Sequence, residues 1–528
     1  MTYRFLSLSF GSDNVYVIRK DAADNEFLEF PKPDLNNALE TNNQLPFYGD
    51  NPMRKPVNQN GPSDEDQSKQ RNIIKTRDDI RPVHFQRKNG AENKEKGMAY
   101  VLESDKDRCS WVSFPDTFYE DKLRERIEPW LTALFQSEHL SLLTGSGLTV
   151  GVCKSAGTEA TEMQAADFSC FKEVIASGAQ KTAEQMRRGK PNFEDSIRSA
   201  NIVLSYLEIT DKEKAEALRE EMIEKMEEFI NSILKTETDF AASGRKTEAF
   251  NRLISFLLSF VSRAGTRDRI NIFTTNYDRL IEEAADLAGI HLIDRFIGKL
   301  SPVFRASRLN LDLHYNPPGI RGEPRYLEGV ARFTKLHGSL DWVKTNHLIR
   351  RIGLPFGADK INPYLKAPGL RCSPGFDLMI YPNSAKDKET TAYPYVELFR
   401  DFAAAICRPN STVVTYGYGF GDDHINRVLG DMLTIPSTHL VIISFDDTNG
   451  RILNFYEDTA HKDQISLLIG PDIASIDNLT TKYLPKSAID YTSSKMGEIL
   501  KDRLVSSSAD SSKDEKIPED QKKPMKEE

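Results

Sequence analysis

Four times in this chain a short apolar run ends in glycine or small polar residues, often passing directly into a stretch with helical periodicity. The runs are HLSLLTGSGLT at 139–149, INIFTTNYDRLIEEAADLAG at 270–289, RFTKLHGSLDW at 332–342 and STVVTYGYGFGDDHINRVLGDML at 411–433, and LVIISFDD at 440–447 reads as a fifth strand. Apolar strands alternating with helices fit a parallel sheet covered on both faces, because neither side of such a strand meets water. The expected fold class is therefore α/β, built on a doubly wound parallel sheet. Ligands of such sheets sit beyond the carboxyl ends of the strands. The residues that end these runs are the candidates for chemistry.

A second pattern interrupts the first between residues 178 and 268, where helix formers dominate. Met222, Met226, Phe229, Ile230, Ile233 and Leu234 share one helical face, and Phe250, Leu253, Ile254, Leu257, Leu258 and Val261 share another. An inserted helical subdomain with these stripes as its core is expected. Residues 1–41 alternate apolar and polar positions and read as a small β-rich segment. Residues 42–115 are expected to be a polar linker or loop, since the Asn, Gln, Lys, Asp and Pro that dominate them to about residue 97 bury too little to offset ordering entropy. The sheet domain then spans 116–490, and the Ser-, Lys- and Glu-rich tail at 505–528 is expected to be disordered.

Composition narrows the function. The 528 residues carry 70 Lys and Arg against 79 Asp and Glu, a net charge of −9. The basic excess of a generic nucleic-acid binder is absent, so no direct nucleic-acid binding is expected. The densest apolar run, Leu253 to Val261, falls well short of the ~20 residues of a spanning helix, and the N-terminus lacks the roughly 7–15-residue apolar region of a secretory signal. A cytoplasmic protein without a membrane span is expected. The five cysteines, at 109, 153, 170, 372 and 407, are odd in number and widely spaced, so they offer neither a disulfide framework nor a Cys-x-x-Cys zinc pair.

Each candidate residue has a functional and a plainer reading. Gly145, Ser146 and Gly147 follow the run Leu140–Leu143, where a tight turn can aim backbone N–H groups at a diphosphate or can simply be a turn. Thr275, Asn276 and Asp278 close the run that ends at Phe273 and open a helix. Thr275 with Asp278 fits a capping box, and the same residues suit chemistry. His337 ends Phe333–Leu336; an imidazole with an unperturbed pKa of about 6.5 suits proton abstraction near neutrality, and a structural histidine is the alternative. Gly417, Gly419 and Gly421 precede a helix with Asp422 as its natural N-cap, and they allow either close approach to ribose or phosphate or a flexible connection. Asp446 and Asp447, after the last strand, would bind ribose hydroxyls or solvate a turn. Trp342 reads as core.

Taken in order, GSG at 145–147, TTNYD at 274–278, KLHGSLDW at 335–342 and YGYGFGDDHIN at 416–426 resemble the sirtuin-like family, in particular the bacterial sirtuin-like NAD glycohydrolases of antiphage defence. The resemblance covers roughly residues 116–490, including the acidic PNFEDSI at 191–197. It implies a Rossmann-like domain with a smaller helical insertion, NAD as substrate, Asn276 as the catalytic amide, Asp278 as its accompanying acid and His337 as the catalytic imidazole. It implies NAD contacts at Gly145, Ser146, Gly147, Gly417 and Gly419, and the strand ends add Thr275 and Asp446 as candidate contacts. Because unrestrained NAD cleavage is toxic to a cell, the resemblance further implies control by homo-oligomerisation or by a partner such as a HerA-type ATPase.

Two departures separate the chain from deacetylating sirtuins. The Gly-Ala-Gly start with a downstream Pro-Asp-Phe-Arg is absent after Gly145, and only Cys372 and Cys407 follow His337, too few for a four-thiolate zinc site. No zinc is expected. The expected activity is hydrolysis of NAD to nicotinamide and ADP-ribose, lowering cellular NAD during infection. The alternative is a non-catalytic NAD or ADP-ribose sensor that controls assembly of a partner. A dehydrogenase would leave Asn276 and His337 without a role, and its ribose-binding acid about twenty residues beyond the first glycine turn could only be Glu162 or Asp167.

Overall fold

The computed structural model describes residues 71–486 apart from residues 77, 94–95, 106–108, 187, 264–266, 306–311, 317–324, 346–347, 367–369, 371–377 and 381–392; before them it describes three strands. The chain divides into two compact units, Met1–Glu65 and Asp66–Glu528. In the first, Ser7–Phe10 (β1), Asn14–Ile18 (β2) and Phe27–Pro31 (β3) form an antiparallel sheet. The expected disordered tail at 505–528 lies outside the described residues.

The second unit is built on one sheet of eleven strands. Its strands are Arg71–Lys75 (β4), Val83–Asn93 (β5), Gly97–Leu102 (β6), Thr117–Tyr119 (β7), His139–Thr144 (β8), Asn271–Thr274 (β9), His291–Ile293 (β10), Val330–Lys335 (β11), and, after Gly338–Thr345 (β12) in a separate antiparallel sheet, Ser411–Tyr416 (β13), His439–Ser444 (β14) and Ile465–Ile469 (β15). Their spatial order is β10-β11-β9-β8-β13-β14-β15-β4-β5-β6-β7. The first seven run parallel and the last four continue the sheet antiparallel. From β8 the chain builds outward to β9 on one side and, later, to β13 on the other. The gap between β8 and β13 is thus the topological switch point.

The central strands are buried on both faces, and their side chains alternate between two cores. Leu140, Leu142, Ile272, Val414 and Val441 enter one core, with Glu120–Phe135 (α1), Ser146–Ala156 (α2), Lys246–Val261 (α6) and Leu280–Ala288 (α7) over them. Leu143, Phe273, Val413 and Leu440 enter the other, under Tyr395–Ile406 (α8), Asp423–Leu433 (α9) and Arg451–Asp458 (α10). The period of two that sends neighbours to opposite faces is what makes each strand read as a continuous apolar run. Trp342 is buried against Phe296 and Phe304, as core.

A third core lies among Lys172–Gln185 (α3), Phe193–Thr210 (α4) and Lys212–Ala242 (α5), and it also takes in Tyr277 and the β12 residues Leu340 and Val343. The expected face Met222 to Leu234 is buried there. The helical layer differs from the expected span of 178–268 at both ends. It begins at α3, and α6, read from its stripe as part of the insert, packs on α2 in the sheet core through Leu253, Phe256, Leu257 and Phe260.

Residues 71–102 correct the expectation of a polar linker over 42–115. They form β4 to β6, with Ile73, Ile74, Val83, Phe85, Ala99, Tyr100 and Leu102 buried. Local composition hid them because charged and polar residues separate these strands; most of their buried side chains join the core that α1 completes, so burial comes from distant sequence.

One network in this sheet predicts an acid sensitivity. Trp130 Nε1 donates to Ser466 Oγ at 2.9 Å, and that hydroxyl lies 2.8 Å from His439 Nε2. A hydroxyl already accepting from the indole donates its own proton to a neutral imidazole. Burial, with the Lys75 charge second, pushes His439 down to about 4. Between roughly pH 6.5 and 4 the unfolded chain binds a proton that the folded chain refuses, so stability present at neutral pH is lost as pH falls, by up to about 3 kcal/mol. Urea unfolding across that window should show the loss in the native chain and a flatter profile in His439→Asn.

Among the described residues, no helix is long and apolar enough to cross a membrane.

Candidate functional site

Four strands finish in register at one edge of the sheet. Thr144 of β8 pairs with Thr274 of β9 and with Tyr416 of β13, and Thr274 pairs with Lys335 of β11. The next residues of each chain segment therefore emerge together at the switch point. Backbone bonds continue the alignment past the strands: Thr275 N–H donates to Thr144 at 3.1 Å, Leu336 N–H to Thr274 at 2.8 Å and Gly145 N–H to Tyr416 at 3.1 Å. Above this edge is a cavity of about 410 Å³, within the ~300–1,000 Å³ of small-molecule and cofactor sites.

Asn276, Asp278 and His337 all line that cavity, as do Gly145, Ser146, Thr275 and Gly419. Asn276 is buried and its amide nitrogen donates to the Gly145 carbonyl oxygen at 2.9 Å and to Thr149 Oγ1 at 3.0 Å. Thr149 in turn donates its hydroxyl to Asp278 Oδ2 at 2.6 Å. The carboxylate, hydroxyl and amide form one relay that fixes the plane of the Asn276 side chain, and among the described residues no protein group donates to its Oδ1. A carbonyl oxygen held this way is available to a ligand.

The TTNYD turn does not form the capping box that its spacing allows. α7 starts at Leu280 with Arg279 at the N-cap and no side-chain capping bond to it. Asp278 Oδ1 instead accepts from Leu280 N–H at 3.2 Å while Oδ2 takes Thr149, which leaves Thr275 on the cavity wall. The turn is held from beneath by buried ion pairs. Glu237 of α5 receives the Arg279 backbone N–H at 2.8 Å and its guanidinium at 2.5 Å, and Lys335 Nζ contacts Glu282 at 2.9 Å and the Tyr277 carbonyl oxygen at 3.3 Å.

His337 sits in the turn between β11 and β12, pinned by Leu336 N–H on Thr274 and Leu340 N–H on the Tyr277 carbonyl oxygen at 3.1 Å. Its ring centroid is 6.5 Å from that of Tyr277. Across the cavity Asp422 occupies the N-cap position of α9 as expected, yet its side chain makes no capping bond. Its Oδ2 lies 3.9 Å from His337 Nε2.

The glycine turns have a different role from the one their pattern suggests. A Cβ on Gly147 would lie 2.6 Å from the Gly417 Cα, and one on Gly145 would lie 2.6 Å from the Gly417 carbonyl oxygen. Gly417 has φ of +60°, a region that favours glycine. The two turns are packed backbone to backbone, and the Gly147 N–H is spent on the Gly417 carbonyl oxygen at 3.0 Å. Gly147 and Gly417 brace the site from outside the cavity lining. Asp446 also lies outside that lining; it is exposed and its Oδ1 accepts from Thr448 N–H at 2.8 Å within its own turn.

Sequence reasoning missed several wall residues. Thr149 stands four places after Gly145, one helical turn into α2, a spacing that points it at the helix N-terminus. Arg188 and Asn192 come from the α3–α4 connection and Arg451 from the start of α10; no local pattern marks them as partners. Asn192 and Asp195 form a reciprocal capping box at the start of α4, each side chain accepting the other's backbone N–H at 3.0 Å. Cys372, the subject of the zinc argument together with Cys407, lies outside the described residues.

No curated protein matches this chain in a sequence search. The family model described as the SIR2-like domain matches residues 270–463, a stretch that contains Asn276, Asp278, His337, the Gly417–Asp422 turn and Arg451. With the doubly wound sheet and the cavity at its switch point, that match supports a sirtuin-like superfamily for this chain and is compatible with an NAD-related function.

Proposed function

We propose that the chain hydrolyses NAD at the nicotinamide–ribose bond, releasing nicotinamide and ADP-ribose, and that its cellular role is NAD depletion in bacterial antiphage defence. The observation that supports this most is the convergence of Asn276, held by the Asp278–Thr149 relay, and His337 on one cavity at the sheet's switch point.

The chemistry follows from charge. The pyridinium of NAD leaves as neutral nicotinamide, so the bond electrons go to the leaving ring and positive charge gathers on the ribose carbon. A fixed amide oxygen at Asn276 stabilises that cation and orients the water, because its dipole is already aligned when the charge develops. His337 takes the proton from the attacking water or from a ribose hydroxyl, with the Asp422 carboxylate 3.9 Å from its Nε2. Water adds to the ribose carbon, one proton is released, and the balance closes at NAD plus water giving nicotinamide, ADP-ribose and a proton. Resting cells require this activity to be held back, which fits control by self-assembly or by a partner of the ATPase kind.

The test is release of free nicotinamide from NAD by the purified chain, alone and with candidate activators, against His337→Ala. A loss of about a hundredfold or more in the variant is expected. Tight NAD binding with no release under any activating condition would instead support the sensor reading.

A further inference from the structure

Two guanidinium groups reach the cavity from different layers of the molecule. Arg188 comes from the connection between α3 and α4 in the helical layer, and Arg451 is the first residue of α10, whose Ile452 and Tyr456 lie in the sheet's second core. Between them they have one carboxylate partner among the described residues, Asp195, which pairs with Arg188 and is already shared with the α4 capping box. Arg188 Nε is buried without a hydrogen-bond partner. Arg451 spends Nε on the Thr448 carbonyl oxygen at 2.9 Å and forms no ion pair, although acidic residues line the same cavity.

The late glycines make room for this group. A Cβ on Gly421 would lie 3.0 Å from Arg451 Nη1, and one on Gly419 3.4 Å from Nη2. Burial and then the Arg188 charge push the Arg451 pKa down, with Tyr418, Asp446 and Asp447 acting the other way. Meanwhile the Gly145 and Gly147 amides, two of the three anion donors suggested by the turn at Gly145, Ser146 and Gly147, are taken by the Tyr416 and Gly417 carbonyl oxygens. The cavity thus presents two guanidinium groups at a place other than the glycine turn.

We propose that Arg188 and Arg451 form a clamp for the diphosphate of a dinucleotide or of ADP-ribose, one arginine supplied by the helical layer and the other by the sheet. Planar guanidiniums match phosphate oxygens with paired donors, and an anion between the two cations relieves their mutual repulsion. The clamp rests on reading the cavity as a dinucleotide site and adds which groups hold the phosphates. It also means that ligand binding ties the helical layer to the sheet.

Calorimetric titration of the full chain with ADP-ribose tests this without requiring turnover. Arg451→Gln should weaken ADP-ribose binding about tenfold or more, Arg451→Lys should restore part of it, and adenosine affinity should change less than about twofold. Arg188→Gln should act in the same direction; because it strands the buried Asp195, Arg451 carries the test if that variant misfolds. Failure of the native chain to bind ADP-ribose, unchanged affinity in Arg451→Gln, or an equal loss for adenosine would overturn the clamp. Arginine-dependent ADP-ribose binding without nicotinamide release overturns the hydrolase reading alone. Release of nicotinamide with arginine-independent binding overturns the clamp alone.

Discussion

Alanine at position 276 is expected to lower nicotinamide release from NAD by about two to three orders of magnitude while leaving NAD affinity within a few-fold. The effect is large because the amide does not find its orientation afresh in each turnover. Its nitrogen is committed to Gly145 and Thr149, and Thr149 is committed to Asp278, so the oxygen is aligned before positive charge develops on the ribose. Removing it takes away an interaction that strengthens only in the transition state. Thr149→Val provides the graded control. It keeps the volume but cuts the relay, so a loss of about tenfold is expected, smaller than that of Asn276→Ala because the Gly145 bond remains. Steady-state rates and NAD titrations on the same preparations check both. A rate loss in Asn276→Ala that is matched entirely by lost affinity would show a binding role and end the catalytic assignment.

Glu237→Ala is expected to destabilise the fold by about 3–5 kcal/mol, the cost of leaving a buried charge unpaired. Glu237 is fully buried in α5, and Arg279 spends its backbone N–H and guanidinium on it while also donating to the Leu354 and Pro355 carbonyl oxygens. The pair joins the helical layer to the turn that carries Asn276 and Asp278. Denaturant unfolding measures the loss, and a double change, Glu237→Met with Arg279→Met, should recover a substantial part by removing both charges. A change below about 1 kcal/mol in Glu237→Ala would mean that Arg279 finds water or another carboxylate and that the pair is not a strut.

Legibility in the sequence followed the range of the interactions. The runs Leu140–Leu143, Ile270–Phe273, Phe333–Leu336, Val413–Tyr416 and Leu440–Ser444 declared themselves as strands because strands buried on both faces are apolar over most of their length. The strand Ile465–Ile469 went unremarked, and β4 to β6 were read as linker because they are set among charged and polar residues and their apolar partners, those on α1 among them, are distant in the chain. Asn276, Asp278 and His337 stood out by position, each just beyond a strand. The Thr275–Asp278 spacing misled, since a local capping signature competed with a tertiary acceptor role for Asp278. The glycines at 147 and 417 suggested phosphate approach when their small size serves the packing of one turn on the other.

Short-range order, the alternation of apolar strands with helices and the placing of polar residues at strand ends, was settled by the chain's own pattern, because hydrophobic periodicity acts within a few residues. Which strand ends meet, and with what, was settled only by the fold. Thr144, Thr274, Lys335 and Tyr416 fall into register through backbone pairing that no local pattern encodes. Arg188 and Arg451, well over two hundred residues apart, share a cavity because two layers happen to close over the same switch point. Electrostatic fields act through space, so the charges that shape this site could be assembled only after the sheet had brought their carriers together.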